Sequence, residues 1–97
     1  MLYTINKSPF LSGNLASCLR FAPPGSPIML YEDGVCAATT GTRVEALIRE
    51  VLADHAIYVL EADLQARGLT RLIEGVQVVG YDVFVDLVAE HNVLPWL

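Results

Sequence analysis

"PIMLYEDG", residues 27–34, is the stretch on which the fold turns. Ile28, Met29, Leu30 and Tyr31 run together without a polar residue between them. A strand with one wet face alternates apolar and polar side chains. An unbroken run of this length belongs to a strand covered on both faces, as in a parallel sheet between helices. We therefore read "PIMLYE" as an interior strand. Asp33-Gly34 is a favoured turn pair and ends it.

Working outward toward the N-terminus, "MLYTIN" has apolar and β-branched residues and reads as a first strand. Proline fixes its own φ and restricts Ser8, so "SPF" turns the chain. A helix is expected from about Gly13 to Ala22. Leu15, Cys18, Leu19 and Ala22 fall at i, i+3, i+4 and i+7 on one face. Ser12 or Asn14 is placed to cap its start. Pro23, Pro24 and Gly25 stop it.

Toward the C-terminus, "VCAATTG" suits a short helical turn. Thr42 and Glu45 in "TRVE" have capping-box spacing. Val44, Leu47, Ile48, Val51 and Leu52 form a helical stripe, with Glu45 and Arg49 as an outward i,i+4 pair. "AIYVLE" is a third strand. "ADLQARG" is a short helix closed by Gly68 in a left-handed cap. "VQVVGY" is a fourth strand. Asp82 is expected to cap a last helix whose Phe84, Leu87, Val88 and His91 share a face. In the tail "NVLPWL", Pro95 allows only an edge strand or an extended arm. Trp96 is either an interface anchor or folded back on its own domain.

Strands alternating with helices give a parallel α/β sheet with helices on both sides and right-handed crossovers. Ninety-seven residues leave room for one core, so residues 1–97 read as one domain. The apolar share is 54% and the mean hydropathy is +0.46, rich for a small domain. Part of that surplus must face outward, which marks a protein–protein interface and predicts an oligomer. No run reaches the ~18 apolar residues of a membrane span. "MLYTINKSPF" has no basic region followed by a long apolar run, so no signal peptide is read there and a cytoplasmic protein is expected. Cys18 and Cys36 are then expected as free thiols. The net charge is −5 with six scattered basic residues. That disfavours direct nucleic-acid contact by this chain.

No dinucleotide fingerprint, P-loop or zinc spacing is present, so neither a cofactor nor a metal is expected. His55 and His91 read as structural or surface residues. In parallel sheets chemistry gathers at the carboxyl ends of strands. Here those ends are Asn6–Lys7–Ser8, Glu32–Asp33–Gly34, Glu61–Ala62–Asp63 and Tyr81–Asp82. Glu32–Asp33 is either a base or ligand at that edge or plain turn chemistry, with Asp33 as a cap; turn chemistry is the simpler account. Cys36 gains thiolate character if a helix starts there, yet Val35, Ala37 and Ala38 favour packing. Cys18, beside Leu15 and Leu19, reads first as core. The alternative is a persulfide carrier, which needs access and a nearby positive charge; Lys7 and Arg20 are the local candidates.

Five stretches, in order, carry a resemblance: "LYTINKSPF", "CLRFA", "LYEDGVCAA" with "GTRVE", "YVLEADLQARGL" and "YDVFVDLV". Together, over nearly the whole chain, they resemble the DsrH/TusB family. The resemblance implies a small three-layer α/β/α domain with a mainly parallel sheet of four to five strands. It implies a subunit of a cytosolic hetero-oligomeric sulfur relay, a heterohexamer with DsrE/TusD-like and DsrF/TusC-like partners. Such a relay serves either 2-thiolation of the transfer-RNA wobble uridine or DsrEFH-type sulfur oxidation. Cys18 in "SCLRFA" matches a cysteine of DsrH-type members, which restores the persulfide-carrier reading beside the packing one. Cys36 matches no cysteine of the family and inherits no role. The resemblance places the principal sulfur acceptor on the DsrE/TusD-like subunit, which leaves Cys18 as an accessory carrier or a structural residue. The expected part for this chain is accessory: it completes the assembly. A homo-oligomer binding a small ligand is the remaining alternative.

Overall fold

The computed structural model describes residues 1–96; Leu97, the end of the tail read above, lies outside the described residues. Five strands alternate with four helices. They are β1 (Leu2–Ile5), α1 (Asn14–Phe21), β2 (Ile28–Leu30), a 3-10 segment (Glu32–Ala38), α2 (Glu45–Val51), β3 (Ile57–Leu60), α3 (Glu61–Ala66), β4 (Gln77–Val79), α4 (Tyr81–Glu90) and β5 (Val93–Trp96). The sheet order is β4-β3-β2-β1-β5. Every strand pairing within the sheet is parallel.

The strand order decides where the helices sit. From β1 to β4 each crossover steps the same way, so right-handedness puts α1, the 3-10 segment, α2 and α3 on one face. The last crossover returns past β1 to β5, so α4 lies on the other. The packing agrees. Tyr3, Ile5, Ile28, Leu30, Ile57 and Val59 point into a large core with Leu15, Cys18, Val35, Ile48 and Leu64. Leu2, Met29 and Leu60 point the other way and meet Leu87, with Tyr58, Val79, Val83 and Phe84 around them. Ile28, Met29 and Leu30 are all fully buried, as the apolar run 28–31 requires of an interior strand.

Several local expectations shift. Ser12 Oγ accepts the Asn14 N–H at 3.2 Å, but Gly13 is the N-cap of α1, and the Asn14 amide instead donates to the Trp96 carbonyl. The Thr42/Glu45 box is displaced by one residue: Thr42 Oγ1 takes the Val44 N–H, and Glu45 reaches past Thr42 to the Gly41 N–H. Gly80, not Asp82, is the N-cap of α4, so Asp82 sits inside the first turn. Gly68 (φ +63°) does close α3. Its N–H goes to Gln65 and that of Leu69 to Leu64, which satisfies two orphan carbonyls. β5 is an edge strand in which Trp96 folds back on its own domain. It lies 5.4 Å from the Phe21 ring and 6.2 Å from Tyr3.

Candidate functional site

The carboxyl ends of β2 and β3 lie side by side because those strands pair in register. Leaving β2, the chain turns sharply. Glu32 adopts φ +49°, an uncommon conformation for a non-glycine residue. Its N–H is held by Asp63 Oδ2 at 2.7 Å. Gly34 follows, packed so closely on β1 that a Cβ there would strike the Ile5 carbonyl oxygen. Asp63 thus anchors the 3-10 segment to α3.

Arg67 completes the arrangement. Its Nη2 and Nε donate to Asp33 Oδ1 at 2.8 and 3.1 Å. Its Nη1 donates to the Asp63 carbonyl at 3.1 Å and stands 3.7 Å from Asp63 Oδ1. The hydrogen bond to Asp33 raises the Arg67 pKa first; burial opposes it, and the charges of Asp33, Asp63 and Cys36 add to it. Asp33 is therefore an ion-pair partner rather than a helix cap. Arg67 carries the cluster, although the sequence reading passed over it. Half of its signal was there, since Asp63 and Arg67 are an i,i+4 pair; Asp33 joins them only because the strand order sets β2 beside β3. With each carboxylate bound to a guanidinium or an amide, the cluster is built as a clasp for the turn.

The other end of the edge is polar and smaller. Asn6 Oδ1 is buried without a hydrogen-bond partner among the described residues. Lys7 is exposed. Ser8 Oγ accepts the Phe10 N–H. Arg43 donates to the Pro9 and Phe10 carbonyls and stacks 5.3 Å over the Phe10 ring, which pins this loop to the start of α2.

The two thiols are both free and differ in setting. Cys18 has no exposed surface and lies in the large core. Burial pushes its pKa from 9.0 to about 11. Lys7 and Arg20, the charges proposed to activate it, are both out in solvent. Cys36 is half-buried in the 3-10 segment, on the Arg67 side. His55 is buried, its Nδ1 bonded to the Ser26 carbonyl at 2.8 Å, which assigns the proton to that nitrogen. Among the described residues no three His, Cys, Asp or Glu side chains converge as a metal-ligand set. No helix there is long and apolar enough to cross a membrane.

The family model described as "DsrH like protein" matches residues 7–94. The chain is 38% identical to Protein TusB of Serratia proteamaculans (strain 568) over 94 residues, covering 95% of both chains. The chain belongs to the DsrH/TusB family. Protein TusB of Escherichia coli O1:K1 is likewise 38% identical over 93 residues, and that of Shigella flexneri 37%, each with 95% of both chains covered. A solved structure of a protein of unknown function from Methanobacterium thermoautotrophicum superposes with a TM-score of 0.74. It covers 97% of this chain and 96% of its own at 17% identity, which shows the shared fold. The parallel α/β sheet is thus the architecture on which a DsrH/TusB member is built.

Proposed function

We propose that this DsrH/TusB chain is a subunit of a sulfur relay that serves transfer-RNA wobble-uridine thiolation, and that its part there is assembly rather than sulfur transfer. The end-to-end match to the TusB proteins carries the reading. It also favours the thiolation setting over sulfur oxidation. On this reading its partners are of DsrE/TusD-like and DsrF/TusC-like type, in a heterohexamer.

The accessory role rests on the thiols. In a relay step a thiolate attacks the outer sulfur of a donor persulfide. A new sulfur–sulfur bond forms, the donor's bond breaks, and the donor leaves as a thiolate. The attacker must be ionised and reachable. A thiol with a pKa of about 11 is ionised to roughly one part in ten thousand at pH 7, and Cys18 offers no exposed surface. Cys18 is therefore a packing residue here.

Intact-mass analysis after incubation with a persulfide donor tests this, run on the chain alone and within the co-purified complex. We expect no added sulfur on Cys18 in either. A gain of one sulfur that disappears in Cys18→Ala but persists in Cys36→Ala would make Cys18 a carrier and overturn the accessory role. Failure of the chain to co-purify with DsrE-like and DsrF-like partners would overturn the relay reading as a whole.

A further inference from the structure

Helix α4 is apolar over far more of its circumference than the sheet uses. At about 100° per residue, Val83, Leu87, Phe84, Val88, Tyr81, Val85 and Ala89 span an arc of about 240°. A helix lying on a core needs an arc of only about 100°. Leu87 is buried, and Val83 and Phe84 pack beside it on the second core. The rest of the arc faces solvent: Tyr81 is 62% exposed, Val85 65% and Val88 45%. With the edge of Phe84 they line an apolar groove of about 240 Å³. The remaining arc carries Asp82, Asp86 and Glu90, spaced at i, i+4 and i+8. None of the three makes an ion pair among the described residues.

The occupant can be argued from these two stripes. No polar atom lines the groove to orient a small molecule, which specific small-ligand sites require. A second copy of this chain fits badly. Antiparallel pairing across a two-fold sets the acidic row against itself, α4 holds no lysine or arginine, and the chain as a whole carries −5. The complement is a helix with its own apolar stripe and a row of basic side chains along one margin. We infer that the outward side of α4 is the docking surface for such a basic-edged amphipathic helix on a partner subunit. The inference rests on the relay-subunit reading and adds which surface meets the partner, and by what chemistry.

The experiment co-expresses the full chain with the DsrE-like and DsrF-like chains and measures co-purification and affinity. Val85→Glu and the double reversal Asp82→Lys/Asp86→Lys alter α4. Leu11→Glu, on an exposed residue remote in sequence, is the control. The α4 variants are expected to bind at least tenfold more weakly, with Leu11→Glu unchanged and all unfolding curves superimposed. Raising the salt from about 0.1 to about 1 M shortens the screening length from about 10 to about 3 Å. It should weaken the wild type more than the reversed variant. Hydrogen exchange of α4 in the wild-type complex gives a readout free of any folding defect, and should slow at least tenfold. If the α4 variants bind as wild type does, or α4 exchange is unchanged in the complex, the inference is overturned while the relay reading stands. If the wild type binds neither partner, both fall together.

Discussion

At the scale of the residue, Cys18 and Gly34 show burial acting through opposite means. Cys18 is sealed among apolar neighbours, which favours the neutral thiol. Its folded pKa is raised, so the stabilisation is fully present below pH 9 and is lost as the pH climbs through about 11. Two pKa units correspond to roughly 2–3 kcal/mol. Denaturant titrations between pH 8 and pH 11 should show the wild type losing about that much more stability than Cys18→Ala, whose side chain does not titrate. A flat difference would mean the thiol reaches water. Gly34 is needed for space, since a methyl group would meet backbone rather than a side chain that can swing away. Gly34→Ala is expected to cost at least about 3 kcal/mol, the upper end of ordinary overpacking. Equilibrium unfolding would measure it.

At the scale of the element, the 3-10 segment is held by its neighbours more than by its own hydrogen bonds. Asp63 takes the Glu32 amide, and Arg67 ties Asp33 to α3. Asp33 is largely exposed and the pair opens to solvent, so Arg67→Ala should lower global stability by no more than about 1 kcal/mol. Exchange at the amides of residues 32–38 should rise well beyond that change. Equal protection in both proteins would show that the clasp is idle. Helix α2 offers the pH counterpart. The Gly41 amide and the Arg49 side chain hold the Glu45 carboxyl below its ordinary 4.5. A depressed carboxylate stabilises above its unfolded pKa, and the effect is lost as acid protonates it. The start of α2 should therefore fray below about pH 4.5 in the wild type and show no such step in Glu45→Gln, as backbone amide shifts would report. Much of this was legible beforehand. The runs "LYTI", "IML" and "IYVL" announced buried parallel strands, and Gly68 announced the end of α3. The shifted capping box was not legible, because side-chain reach is set by where the preceding loop enters. Nor was the Asp33–Arg67 pair, which joins residues 34 positions apart that become neighbours only through strand order.

At the scale of the whole molecule, the two faces of the sheet are unequally covered. Four segments pack on one face, while α4 alone crosses the other and sinks a single buried side chain, Leu87. The apolar surplus in the composition foretold exposed non-polar surface, and it is there. Its position was hidden, because the 81–91 pattern fits a helix buried on either side, and only the direction of the last crossover says which side is wet. This asymmetry predicts an order of opening. β1, β2 and β3 are nearly wholly buried and should exchange their amides only through global unfolding. α4 and the edge strand β4, which is mostly exposed, should open by smaller fluctuations. Leu87→Ala removes the one buried side chain of α4 and leaves a cavity above Leu2, Met29 and Leu60. It should cost roughly 2–5 kcal/mol and accelerate α4 exchange far more than exchange in β1–β3. Uniform acceleration across the chain would mean that α4 opens only with the whole fold. The one-helix side would then be as much a part of the cooperative core as the side that four segments cover.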